Sequence, residues 1–333
     1  MNGTGVSGDR HPFARLTPDF VLAAVESCGH RCDGRLLVLN SYENRVYQVG
    51  CEAADAVVVK FYRPGRWSDA AIAEEHAFVA ELAAQNLPVV APIEQGSGAT
   101  VARYEDFRLA VYPRRGGRAP ELDRRDNLVT MGRYLARLHT VGRARPFRAR
   151  ETLTAALFGR ASVDFLAAAH VPADLRAAYT SITRDLLAQV EARFAAAGPV
   201  RYLRVHGDCH GGNVLWRDER PHFVDFDDAR MAPAVQDIWM LLGGDADEQR
   251  AALDAVLEGY ETLADFDCRE LALVEPLRTL RMLHYSAWLA RRWEDPAFPL
   301  AFPWFGTQAY WERHVLELRE QLAALAEPYG LLA

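Results

Sequence analysis

The sequence has no apolar run approaching the ~20 consecutive residues that a membrane-spanning helix needs. Its first ten residues are polar and Gly-rich, without the charged start and apolar stretch of an export signal. A cytoplasmic protein without a membrane partner is therefore expected. Cysteine is scarce: Cys28, Cys32, Cys51, Cys209 and Cys268 are five, odd in number and dispersed, which argues against a disulfide framework and for reduced thiols. A basic excess is also lacking. The 38 Lys and Arg residues against 45 Asp and Glu give a formal net charge of −7, which argues against nucleic acid as the principal partner. Internal repeats and long low-complexity tracts are absent as well.

What is present is a chain of 333 residues, half of them hydrophobic, enough to bury a large core and to divide into two compact units. Residues 1–10 read as a disordered tail. Thr17-Pro18-Asp19 before an apolar run reads as a capped helix start. Residues 36–39, 45–49 and 56–62 are short β-branched or aromatic runs between turn formers, the pattern of an antiparallel meander. Ser68-Asp69 opens a helix to about residue 86, with Ile72, Val79 and Leu82 at helical spacing. Residues 89–93 and 107–112 read as two more strands.

Regular structure breaks at Pro113-Arg114-Arg115-Gly116-Gly117-Arg118, and from Asp123 onward the apolar period is mainly helical. The expected fold class is α+β: a nucleotide-binding N-lobe built on an antiparallel sheet over residues 11–113, a hinge over 114–118, and a mainly α-helical, catalytic and substrate-binding C-lobe over 119–333. A monomer is expected.

One helical-lobe interruption, residues 202–227, carries two acid-bearing loops. Asp208 is followed five residues later by Asn213, and Asp225 comes twelve residues after that. Phosphoryl transfer needs this set: a carboxylate near the attacking hydroxyl, hard oxygen ligands for a divalent cation, and a cation on the phosphates. The spacing is that of a kinase catalytic loop followed by its metal-binding aspartate. In this reading Asp208 and Asp225 are catalytic, and Asn213 with Asp225 holds Mg²⁺. Lys60 closes a Val-Val-Val-Lys strand and faces the nucleotide phosphates. A glutamate on the following helix pairs with it: Glu75, which shares a face with Ile72 and Val79, with Glu74 as the alternative.

The loop around Ser41 lies where a nucleotide-covering loop would, yet lacks G-x-G-x-x-G, so donors from Ser41 and its neighbours must replace glycine-loop amides. Asp237 is either a buried acceptor for the catalytic loop or an ordinary helix-start acid. An aromatic run from Trp288 to Trp311 reads as helix packing, with a cation cage as the alternative. An acidic tract from Asp245 to Glu270 reads as a solvated face that would also suit a cationic substrate.

His206-Gly207-Asp208 with Asn213 resembles the Brenner-type loop of aminoglycoside phosphotransferases, choline kinases and homoserine kinases, a superfamily with the protein-kinase bilobal fold and glycine in place of the usual arginine. Segments 39–48, 58–64, 203–210, 224–230, 233–242 and 291–299 are similar to the bacterial stress-response serine/threonine protein kinases of that superfamily, so the resemblance covers nearly the whole chain. It implies ATP as co-substrate, Mg²⁺, and a protein with a Ser/Thr hydroxyl as acceptor. It further implies Asp208 as proton acceptor, Asn213 and Asp225 as metal ligands, and Ser41 as an ATP contact. Glycine at position 207 implies no control by activation-loop phosphorylation. The residues themselves leave the acceptor open, and a small-molecule kinase for an amino alcohol or aminoglycoside stands as the alternative.

Overall fold

The computed structural model describes residues 11–96 and 98–327; the tail expected over residues 1–10 lies outside the described residues. The β-branched runs near the start of the chain form β1 (Cys32–Leu39), β2 (Arg45–Cys51), β3 (Ala54–Phe61), β4 (Ala102–Tyr104) and β5 (Phe107–Pro113). They make one antiparallel sheet in the order β1-β2-β3-β5-β4. Helix α1 (Pro18–Ser27) begins as its sequence requires: Thr17 Oγ1 accepts from Phe20 N, and proline occupies the first helical turn. Its Val21, Ala24 and Val25 pack on Val57, Val59 and Phe61, which alternate along β3 onto one face. Lys60, between Val59 and Phe61, therefore points to the other face, opposite Val46 and Ala110.

Residues 89–93 are not a strand, contrary to the sequence expectation. Pro88 precedes the segment and Pro92 lies within it, without an N–H for a continuous ladder. A bridge from Val89 to Phe223 and scattered bonds, such as those from Val90 N to Phe223 O and Ile93 N to Val111 O, form there in place of a ladder. The fifth strand is instead β4, which pairs with β5 through a turn.

Helix α2 (Asp69–Ala84) is capped by Ser68 and buries Ile72, Glu75, Phe78, Val79 and Leu82 on one side. After β5 the chain is mainly helical: α3 (Arg125–Gly142), α4 (Ala161–Ala169), α5 (Arg176–Ala197), α6 (Val235–Trp239), α7 (Ala246–Glu261), α8 (Val274–Arg291), α9 (Ala297–Ala301) and α10 (Gln308–Ala326). Between α5 and α6 lie two small antiparallel pairs, β6 (Leu203–Val205) with β9 (Arg230–Ala232) and β7 (Val214–Arg217) with β8 (Arg220–Phe223). The architecture is bilobal, an antiparallel sheet lobe followed by a helical lobe. The largest core joins α2 of the first to the helices of the second.

Candidate active site

Two loops between the small strand pairs present the acids. His206 and Gly207 follow β6, and their backbone N–H groups donate to the Asp237 carboxylate at 2.8 Å each. Asp237 is fully buried on α6 and also meets His139 Nε2 at 3.1 Å. Of the two readings its sequence left open, the buried acceptor is the one the structure realises. Gly207 has φ +84°, and a Cβ there would lie 2.1 Å from the Asp228 carbonyl oxygen. Glycine is thus demanded twice, by backbone conformation and by close approach.

Asp208 follows, with its side chain 19% exposed. Asn213 Nδ2 donates to its backbone oxygen at 2.9 Å and to Oδ2 at 3.2 Å. His210 Nδ1 accepts from Gly212 N at 3.0 Å, so its Nε2 carries the proton and faces Asp208 Oδ2 at 3.4 Å. Arg281, from α8, donates to Oδ1 at 2.7 Å. Burial opposes ionisation of Asp208, but His210 and Arg281 outweigh it and hold the carboxyl well below the usual range. A carboxylate so stabilised orients a hydroxyl better than it removes the proton.

Asp225 ends the β8 turn with φ +58°, an uncommon conformation for a residue with a side chain. That conformation leaves its side chain 52% exposed, with Oδ1 3.2 Å from Lys60 Nζ. The next residue, Phe226, turns inward between Phe78 of α2 and the His206 ring, with centroids 6.0 and 4.5 Å apart. One apolar stack therefore ties α2 to both acid-bearing loops.

Lys60 is the only lysine in the sequence; every other basic chain is arginine. It lies 3.7 Å from Glu75 Oε1, 3.2 Å from Asp225 Oδ1 and 3.0 Å from Asp227 Oδ1. Burial disfavours its charge, yet Asp227, Glu75 and Asp225 together raise its pKa well above the ordinary value. Glu75, not Glu74, makes the pair. Glu74 instead accepts the backbone N–H groups of Arg148, Ala149 and Arg150 at 2.7, 2.8 and 3.1 Å.

Besides Arg66, sequence reading missed three residues of the site. Asp227 is buried, and Arg66 pairs with it while Lys60 faces its other oxygen. Burial would raise its pKa, but Arg66, Lys60 and Arg150 hold it low. Arg150, fully buried, reaches Asp227 O at 2.9 Å, Phe226 O at 3.3 Å and Glu75 Oε2 at 3.4 Å, so one guanidinium fastens α2 to the Asp225 loop. Arg281 is the third. These come from segments far apart in sequence, where no spacing rule applies. For Lys60, by contrast, a simple count of lysines would have strengthened the assignment.

Ser41 is not brought against these groups: its hydroxyl donates to Asn44 O at 3.2 Å, inside its own loop. That loop is tied to the end of the helical lobe. Arg292 Nε meets Glu43 Oε2 at 2.8 Å, and Trp288 donates to the same oxygen. Arg45 and Arg63 converge on Asp295, each at 2.8 Å, and the Tyr42 ring packs on Phe302 at 4.9 Å. The aromatic run thus packs on itself and on the Tyr42 loop.

A divalent cation fits this donor set. Asn213 turns its amide nitrogen to Asp208, which leaves its carbonyl oxygen outward. Among the described residues no hydrogen bond occupies that oxygen or Asp225 Oδ2. One amide oxygen and one exposed carboxylate suit Mg²⁺, which keeps several waters and binds through one or two carboxylates plus phosphates. Cys209 is fully buried between them, and burial raises its thiol pKa well above normal.

The sequence profile described as "Phosphotransferase enzyme family" matches residues 36–274. Stress response kinase A of Escherichia coli (strain K12) is 46% identical over 318 residues, 95% of this chain and 95% of that protein. The same identity and coverage hold for the serine/threonine protein kinase RdoA of Salmonella typhimurium (strain LT2). Among solved structures, an amicoumacin kinase in complex with AMP-PNP, Ca²⁺ and amicoumacin superposes with a TM-score of 0.72 at 19% identity, over 93% of this chain and 96% of that one.

Proposed function

The chain belongs to the phosphotransferase enzyme family, and on that premise we propose that it transfers the γ-phosphate of ATP to a serine or threonine hydroxyl of a protein, with Mg²⁺, in the cytoplasm during bacterial stress response. The observation that carries the acceptor is the 46% identity, along 95% of both chains, to a relative named as a serine/threonine protein kinase. The protein acts as a monomer, with its nucleotide lobe over residues 11–113, its hinge over 114–118 and its catalytic lobe over 119–333.

In the reaction the acceptor oxygen forms a bond to the γ-phosphorus as the β,γ-bridging P–O bond breaks, and ADP leaves. Asp208 Oδ1 orients the hydroxyl and receives its proton late, as its depressed pKa and a loose transition state favour. Asn213 and Asp225 would hold Mg²⁺, which would neutralise phosphate charge. Lys60 contacts the phosphates, and Glu75 and Asp227 keep it aimed at them. Ser41 contributes its backbone N–H from the loop above the nucleotide, its hydroxyl being engaged by Asn44 O.

Incubation with γ-labelled ATP and a cell lysate should label proteins, or the kinase itself, and Asp208→Ala and Asp225→Asn should abolish labelling. Turnover on a panel of amino alcohols and aminoglycosides, with no protein labelled, would refute the protein-acceptor reading.

A further inference from the structure

One arginine, Arg281 of α8, stands on the acceptor side of Asp208. Oδ2 is engaged by Asn213 and His210, both from the catalytic loop itself. Oδ1 has one protein donor among the described residues, Arg281 Nη1 at 2.7 Å, and that guanidinium is 43% exposed on α8. An incoming hydroxyl can therefore take Oδ1 most readily, and in doing so it competes with Arg281. A displaced guanidinium beside the reacting oxygen needs a new anion.

From Arg281 the same face of α8 runs one turn on to Tyr285, 40% exposed, which lines a cavity of about 420 Å³ together with Trp304, Tyr310, Arg313 and Glu317. Arg281 stands one turn outside this lining, which carries one arginine, Arg313, beside one carboxylate, Glu317. Five acids of the tract that could have suited a cationic substrate are engaged elsewhere. Asp245 and Glu248 form the capping box of α7, Glu258 pairs with Arg125, Asp267 with Arg269, and Glu270 accepts from Val235 N at 2.9 Å.

We propose that the enzyme selects acceptor segments carrying an acidic residue beside the serine or threonine, with Arg281 exchanging its partner from Asp208 to that carboxylate as the hydroxyl docks on Oδ1. This rests on the protein-kinase reading above. A cationic flank meets the opposite situation: it faces Arg281 as a like charge and pairs with Asp208, removing the group that orients the hydroxyl. The exchange makes Arg281 both a gate on Asp208 and the determinant of acceptor charge.

The test uses three peptides identical except that one serine is flanked by Glu, Ala or Lys. For the wild-type chain kcat/KM should fall in that order, with roughly tenfold between Glu and Lys, mostly in KM. Arg281→Glu should reverse the order, and Arg281→Gln should flatten it; the position is 43% exposed, so both variants should fold. A wild-type preference for Lys, or an order unchanged in Arg281→Glu, overturns the inference while leaving the protein-kinase reading intact. If no peptide is labelled while an amino alcohol is, both fall.

Discussion

Replacing Asp237 by Asn changes one buried atom, and its effect can be worked from the contacts. The carboxylate accepts His206 N and His139 Nε2 on Oδ2 and Gly207 N on Oδ1. An asparagine best keeps its oxygen at the Oδ2 position, where two donors converge. Its NH₂ then faces the Gly207 N–H, donor against donor, with no water to relieve either. One charge-assisted bond is lost, the other two are weakened, and two buried donors are orphaned, which together cost about 3–5 kcal/mol. With an unfolding entropy of roughly 2 cal/mol/K per residue, the melting temperature should fall by about 5 °C. Gly207 cannot yield toward Asp228, whose carbonyl already crowds it, so the strain passes to Asp208. Misplacing that carboxylate by about 1 Å lowers kcat on the order of a hundredfold. Thermal unfolding and ADP release on the same preparation measure both effects. A variant melting within about 1 °C of wild type and turning over within about twofold would return Asp237 to the status of an ordinary helix-start acid.

Three further expectations follow from the same geometry. Glu75→Gln should raise the KM for ATP by about tenfold, because Lys60 loses a charged partner, whereas Glu74→Gln should lower the melting temperature with that KM unchanged; equal effects on KM in a coupled ADP assay would contradict the assignment. Gly207→Ala should destabilise by about 2–4 kcal/mol, from left-handed backbone strain plus overlap with Asp228 O, and a urea titration with an unchanged midpoint would refute it. Burial pushes the Glu270 carboxyl from 4.5 up to about 7, so the folded state binds the extra proton between those values. Its contribution to stability is complete below pH 4.5 and lost as pH rises through 7, by about 2–3 kcal/mol. Glu270→Gln keeps an acceptor for Val235 N and should flatten that decline; parallel pH–stability curves for both proteins would count against it.

Much of this was legible because the determinants are local. The β1 to β3 meander, the Ser68 cap of α2 and the spacing of Asp208, Asn213 and Asp225 are each written within a few tens of residues. The choice of Glu75 over Glu74 was legible for the same reason: the face shared with Ile72 goes inward. The edge strand was misplaced because an apolar run outweighed the two prolines inside and before it, and the true β4, Ala102–Tyr104, is short and mostly polar. Arg150, Arg281, Asp227 and the joining of Glu43 to Arg292 depend on tertiary contacts between segments of ordinary composition. In a chain with so many arginines, nothing local distinguishes the few that face the site.

Lys60 has a practical consequence for chemistry done on the protein. With one lysine in the chain, an acylating reagent has one side-chain amine to modify besides the α-amino group. That amine is buried and held as an ammonium by three carboxylates, so in the resting protein it has no free electron pair to offer. Under the role proposed for Lys60, an acyl group delivered on the phosphate of a nucleotide would meet a unique amine, which becomes nucleophilic once its proton passes to one of these carboxylates. The mass of a single added acyl group would report nucleotide occupancy directly, without any knowledge of the acceptor.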